Sequence, residues 1–224
     1  MNGLASTEFP ALGTTAVVGV TDPDVLADVA AYARARIDEV DRALSRFRDD
    51  SELAWIERQP GPYHLVSPLF AEVLDLAYRA AASTDGWYDP TVRDAVEAAG
   101  YDRSIELVER DGPGAARPVA PAGQWTRIAY GRAARLVLLP EGVRLDFGGI
   151  GKGFAVDYAL RGAPSRGAGV LIGIGGDLGV VGDPPGDGWP CDVAVAADGE
   201  PATAVLLRRG GLATSGIGRR QWSR

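Results

Sequence analysis

Leu145-Asp146-Phe147-Gly148-Gly149-Ile150-Gly151-Lys152-Gly153-Phe154-Ala155-Val156-Asp157 carries the densest signal in the sequence. An apolar run ends in a carboxylate, four glycines and a lysine follow, and an apolar helical pattern begins. The order reads strand, turn, helix. Glycine lets a backbone approach a ligand closely, and a helix amino terminus favours anions. A phosphate or diphosphate near Lys152 is therefore one expectation, and a ligand-free glycine turn is the other. Two phosphate motifs fail here. A Walker A loop needs a glycine where Asp146 stands and Ser or Thr where Gly153 stands. A dinucleotide fingerprint needs a glycine where Phe154 stands.

Working outward, short strands are predicted over 137–139, 143–145, 170–174, 192–196 and 203–207, with turns such as Pro140-Glu141-Gly142 between them. A helix over 153–160 interrupts the run. Upstream, residues 11–20 are rich in Thr and Val and read as a strand. Asp22-Pro23-Asp24 then opens a helix as N-cap, N1 and first-turn acid. Val25, Val29, Ala33, Ile37, Val40 and Leu44 recur at helical spacing. A second helix opens at Ser67-Pro68 and stops at Gly86, and a short third runs over 91–99, closed by Gly100. Residues 110–123 are rich in Gly, Pro and Ala and read as a surface connection. There is no internal repeat. The order, helix-rich over 1–109 and strand-rich over 124–224, predicts one α+β domain of two lobes with a mostly antiparallel sheet and flanking helices. Leu212-Ala213-Thr214-Ser215-Gly216 reads as a strand end entering a loop.

The chain has 224 residues, enough for one domain or a domain plus a lobe. Hydrophobic residues at 46% and charged residues at 24% exclude whole-chain disorder. The net charge of −7 argues against a nucleic-acid partner, which needs a basic face. Lys152 is the only lysine. Cys191 is the only cysteine and His64 the only histidine, so a disulfide framework and a His- or Cys-based metal cluster are excluded. A Ser-His-Asp triad would have to use His64, and no G-x-S-x-G accompanies it. No stretch reaches the length of a membrane span, and no signal peptide is seen in the chain as given; a cytoplasmic location is the expectation.

Asp146 through Asp157 resembles the signature D-x-G-G-x-x-K-G-[YF]-A-x-D of the ApbE family of flavin transferases. Five further segments resemble that family in order. They are Leu12-Gly13-Thr14, the stretch from Leu44-Ser45-Arg46-Phe47 to Ser51-Glu52-Leu53, Thr84-Asp85-Gly86-Trp87-Tyr88-Asp89-Pro90-Thr91-Val92, Gly175-Gly176-Asp177-Leu178 and Ala213-Thr214-Ser215-Gly216. The resemblance implies an ApbE-like, T-fold-like architecture with FAD between the lobes. It implies Mg²⁺-dependent transfer of FMN from FAD to a Thr or Ser hydroxyl of a target protein, with release of AMP. It places Asp146 and Lys152 at FAD, the segments Phe47, Arg48, Asp49 and Trp87, Tyr88, Asp89 beside the flavin, Leu12 where relatives carry a flavin-contacting Met, and the Gly149 carbonyl on magnesium. No catalytic residue is implied. Two bland readings stand beside these: Phe47 and Tyr88 as core aromatics, and Asp89 as a helix cap. Relatives continue with a segment resembling H-x-I-D-P-x-T-G and a late acidic stretch that completes the magnesium site. The expectation is therefore a chain truncated at its carboxyl end, with a non-catalytic FAD-binding module or an inactive truncated transferase as the alternatives. The target protein and the oligomeric state are not legible.

Overall fold

A computed structural model describes residues 3–59, 61–103, 121–194 and 201–215. The element order is β1 (Ala5–Ala11), β2 (Thr14–Val20), α1 (Leu26–Leu44), α2 (Glu52–Arg58), β3 (Tyr63–Leu65), α3 (Pro68–Ser83), α4 (Arg93–Ala98), β4 (Ala129–Gly131), β5 (Leu136–Leu138), α5 (Gly151–Leu160), β6 (Val170–Ile174), β7 (Asp177–Val181), β8 (Trp189–Ala194), β9 (Pro201–Leu207) and β10 (Gly210–Ala213). The mixed content with antiparallel sheets agrees with the α+β expectation. The chain divides into two compact units, residues 1–39 with 152–221, and residues 40–151 with 222–224. These units do not follow the sequence halves 1–109 and 124–224. The reason is that β1 and β2, early in the chain, find their sheet partners late in it. Most of the 110–123 connection lies outside the described residues.

The first unit is built on a five-stranded antiparallel sheet of order β1-β2-β6-β7-β10. Its register explains its core. Ala16, Val18 and Val20 of β2 stand opposite Ile174, Ile172 and Val170 of β6, and all six are buried. A period of two puts such a set on one face. Along α1, Val29, Ala33 and Ile37 supply a buried stripe at helical spacing. α5 packs on β7 at Gly179, where a Cβ would stand 2.8 Å from Leu160 and 3.0 Å from Val156, so only glycine admits the helix. The predicted single strand over 11–20 is instead the hairpin β1–β2. Leu12 and Gly13 form its turn with φ of 49° and 65°. Two positive φ values suit the twist of a two-residue hairpin, although Leu rarely takes one.

The second unit holds the end of α1, α2, α3, α4 and a three-stranded sheet of order β3-β5-β4. α3 begins as the sequence predicts. The Ser67 hydroxyl accepts from the Phe70 N–H at 3.1 Å, and Pro68 occupies the first turn. Gly86, at φ 81°, ends it by donating its N–H to the Ala81 carbonyl. Phe70, Val73, Leu74, Ala77 and Ala81 form its buried face. The short helix α2 is an addition to the sequence reading. Ser51 caps it, accepting from the Ala54 N–H and donating to the Ser45 carbonyl. Glu52 then accepts from both the N–H and the hydroxyl of Ser67, tying α2 to the start of α3. The Ser-Glu of that motif is thus a structural joint.

Two element readings need correction, and the helix start at Asp22-Pro23 holds with its first turn in 3-10 form. Residues 143–145 are not a strand: Val143 and Leu145 are buried, but the segment has no ladder partner among the described residues. Its burial, not pairing, produces the alternating pattern. Asp22 caps a 3-10 turn, Pro23–Val25, ahead of α1, accepting from the Asp24 N–H at 3.1 Å. Asp89 does not cap α4, whose N-cap is Val92. The strand expected over 192–196 is β8, and its last two residues lie outside the described residues.

Candidate functional site

Phe147 anchors the glycine turn. Its ring is buried edge-on against Phe70, with centroids 5.5 Å apart. That contact is worth about 1 kcal/mol beyond the area it buries. Asp146 stands one residue earlier. Its backbone N–H donates to the Pro90 carbonyl at 2.8 Å, which ties the turn to the segment carrying Trp87, Tyr88 and Asp89. The Gly148 N–H donates to Asp146 Oδ1 at 2.7 Å. The N–H groups of Ile150 and Gly151 both close on the Phe147 carbonyl, and α5 begins there.

Asp146 faces a residue the sequence reading left without a role. Arg46 Nε lies 3.3 Å from Asp146 Oδ2, and the two side chains are only 6% and 11% exposed. Arg46 Nη1 donates to the Tyr101 carbonyl at 2.8 Å. The guanidinium lies 4.3 Å from the centroid of Phe47 and 4.4 Å from that of Tyr101. Two aromatic faces and a carboxylate fix its plane. Among the described residues, Arg46 Nη2 has no hydrogen-bond partner.

Tyr88 closes the other side of the turn. A Cβ on Gly149 would stand 3.0 and 3.2 Å from two carbons of its ring, so glycine is what lets the ring lie against the backbone. The Tyr88 hydroxyl is buried and, among the described residues, unpartnered. Burial pushes this phenol well above its ordinary pKa, and the charges of Asp146 and Asp89 add to the rise. It is a neutral donor at every physiological pH. Asp89 is buried and occupied from within. Its Oδ1 accepts from the N–H and hydroxyl of Thr91, and its Oδ2 from the Gly123 N–H at 2.6 Å. It builds the loop that holds Tyr88.

A second charge cluster braces Arg46. Arg93 is buried, donates to Glu57 at 2.6 Å and Glu97 at 2.8 Å, and reaches the Arg46 carbonyl at 3.4 Å. Arg144 bridges Asp94 and Glu97. Burial holds Glu57 above the usual carboxylate range, outweighing the pull of Arg93 and Arg144. On Glu97 burial also acts upward, but hydrogen bonds from Arg144 and Arg93 outweigh it and the net shift is down.

Of the residues expected from the sequence, Phe47, Tyr88, Asp89, Asp146 and Gly149 come together in the second unit. Trp87 sits beside Tyr88 with its indole 94% exposed. Arg48 is engaged by Asp41 at 3.0 Å and Asp50 at 2.9 Å in the loop after α1, and the Asp49 carbonyl accepts from Arg58. Leu12 and Lys152 belong to the first unit, in the β1–β2 turn and the first turn of α5. Arg46 and Tyr101 were missed. A charged residue between Ser45 and an aromatic, just past an amphipathic helix, was the available signal for Arg46. Nothing local marks Tyr101, which gives Arg46 a backbone carbonyl and a ring face.

The residues fit a nucleotide with ring and carbonyl chemistry: an acceptor carboxylate, a ring against glycine backbone, and two unpartnered donors. They do not make a magnesium shell. Among the described residues no three His, Cys, Asp or Glu side chains cluster as a metal site, and the Gly149 carbonyl alone is too few donors. Among the described residues no helix is long and apolar enough to cross a membrane.

Known proteins agree with this architecture. A curated FAD:protein FMN transferase of Salmonella typhimurium is 28% identical over 217 residues, covering 92% of this chain and 61% of its own length. This chain thus spans about three fifths of that relative. Among solved structures, the ApbE protein of Thermotoga maritima superposes with a TM-score of 0.78 at 21% identity, over 93% of this chain and 69% of that one. The flavin transferase ApbE of Vibrio cholerae gives 0.74 at 21% identity, over 99% and 74%. These superpositions establish a shared fold. The sequence model of the ApbE family matches residues 12–224. That match takes in the Asp146 turn, Arg46 and the Tyr88 loop alike, and the chain belongs to the ApbE family.

Proposed function

We propose that this protein transfers FMN from FAD to a Thr or Ser hydroxyl of a target protein. The hydroxyl oxygen attacks the phosphorus of the FMN half. The diphosphate bond to the AMP half breaks, AMP leaves, and the hydroxyl proton passes to solvent or to the leaving phosphate. The observation that carries the reading is the Asp146–Gly149 turn, where a buried carboxylate, a bare glycine backbone and the Tyr88 ring meet. The Salmonella relative, named as such a transferase, supports the same direction.

Asp146 and Tyr88 bind the flavin nucleotide in this proposal, with Phe47 and Asp89 positioning them. Trp87 offers an exposed indole face to an aromatic ring. Arg48, Asp49, Leu12 and Lys152 are proposed nucleotide contacts on the strength of the family motif. The Gly149 carbonyl would be one ligand of a magnesium ion that the described residues do not complete, and such an ion would supply neutralisation of diphosphate charge. The residues themselves bind and orient, which is most of what phosphoryl transfer asks of a protein.

The test is chromatographic. The protein is incubated with FAD, Mg²⁺ and a candidate acceptor domain, and AMP is quantified. AMP formed only when acceptor and enzyme are both present supports the proposal. FAD binding without AMP, across acceptors that a full-length relative modifies, would replace it with a flavin-binding module.

A further inference from the structure

We propose that the outer face of the β3-β5-β4 sheet docks on an anionic lipid surface, with Tyr63, Leu65 and Leu136 entering the headgroup layer and Arg132 and Arg135 meeting lipid phosphates. The argument starts from register. Leu138 of β5 stands between Tyr63 and Ala129, and Leu136 stands between Leu65 and Gly131. Side chains alternate along a strand, so these six positions share one face, and His64, Val137 and Tyr130 share the other. The inner face is used in packing. His64 and Val137 are buried, and the Tyr130 hydroxyl donates to the Ala71 carbonyl of α3 at 3.1 Å. The outer face of such a sheet ordinarily carries polar residues. Here none of its six positions has a charged or amide side chain, and Tyr63, Leu65 and Leu136 are 64%, 62% and 41% exposed. Scattered exposed apolar residues mean little, whereas a contiguous patch marks an interaction site.

Area and charge identify the occupant. Three side chains at these exposures leave a few hundred Å² of apolar surface, while a stable protein interface asks for about 800 Å² from each partner. Ala129 and Gly131 add nothing that walls a groove for an anchoring side chain. A lipid surface asks for neither area nor groove, and tyrosine sits well at headgroup depth. Charge then selects the lipid. The chain carries −7 overall, yet the turn joining β4 to β5, Arg132-Ala133-Ala134-Arg135, holds two arginines and no acid. The Val66 N–H donates to the Arg135 carbonyl at 2.9 Å, which holds this turn beside the Leu65 end of the face. Among the described residues the Arg135 side chain makes no ion pair. Arg132 is 73% exposed and reaches Asp75 at 3.4 Å, an acid it shares with Arg79. The one acid in residues 127–141 is Glu141, which follows the opposite end of β5. Each arginine near an anionic surface is worth about fivefold in affinity.

This inference does not depend on flavin transfer, and its experiment contains no flavin. The full chain is sedimented with vesicles of phosphatidylcholine alone and of equal parts phosphatidylcholine and phosphatidylglycerol. Salt is held at about 0.1 M, which screens the acidic remainder of the chain beyond about 10 Å. Two double variants are compared with wild type: Leu65→Thr with Leu136→Thr, and Arg132→Gln with Arg135→Gln. All four positions are exposed, so melting temperatures should match wild type. Wild type is expected to bind the mixed vesicles and not phosphatidylcholine alone, and to release them as salt rises. The leucine variant should lose roughly tenfold in affinity. The arginine variant should lose about 25-fold. Wild type that ignores the mixed vesicles overturns the proposal, and so does full binding by the leucine variant. If the leucine variant melts early, the arginine variant decides. Sedimentation equilibrium tests the rival occupants. A wild-type dimer that the leucine variant dissociates assigns the face to a second copy. A complex with an acceptor domain that the leucine variant loses, without vesicle binding by wild type, assigns it to a protein partner. Either result overturns the lipid assignment.

Discussion

Arg46 Nε stands 3.3 Å from Asp146 Oδ2, with both side chains nearly sealed from solvent. The pair joins the loop after α1 to the turn before α5. Two residues far apart in the chain thereby fix the geometry of one glycine turn.

Replacing Arg46 by Met keeps much of the volume and removes the charge. Asp146 is then left buried with only the Gly148 N–H as its charge-stabilising partner. Breaking a buried ion pair from one side costs about 3 kcal/mol. Urea denaturation at pH 7 is expected to show a loss of that order.

Gly149→Ala places a methyl 3.0 Å from the Tyr88 ring. The ring or the turn must move, and forced overpacking costs about 1–3 kcal/mol. We expect a lower melting temperature and weaker FAD binding. Gly151→Ala is the control, since a Cβ there meets nothing within 4 Å. Calorimetry and flavin titration on both variants check the contrast.

His64 gives a pH signature. It pairs with Val137 across β3 and β5 and is buried, and burial pushes its pKa below the ordinary value. The unfolded chain then binds this proton more readily than the folded one. Stability therefore rises with pH up to about 6.5 and falls as pH drops through the folded value. Melting curves between pH 5 and 7.5 should show this slope. His64→Leu should flatten it, because no other histidine exists in the chain.

Much of this molecule was legible locally. Ser67-Pro68 and Gly86 bracket α3 because caps act within one turn. The strand over 170–174 was legible because both its faces are apolar. The β1–β2 hairpin was not, because Leu12-Gly13 lacks the Asn-Gly or Asp-Gly that marks such turns. Residues 143–145 looked like a strand because burial imposes the same alternation as pairing. The site followed the same division. Asp146, Gly149 and Tyr88 lie in motifs short enough to read. Arg46 takes its meaning from Asp146, Tyr101 and Arg93, and such partners are set by tertiary structure alone.

The central claim is transfer of FMN by a site built on Asp146. Intact-mass spectrometry of an acceptor domain, after incubation with the protein, FAD and Mg²⁺, tests it most directly. The account predicts a gain of one FMN residue on a Thr or Ser, absent when Asp146→Ala protein of unchanged fold replaces wild type. An acceptor that a full-length relative modifies, left at its original mass by FAD-loaded wild type, or modified equally by Asp146→Ala, would contradict it.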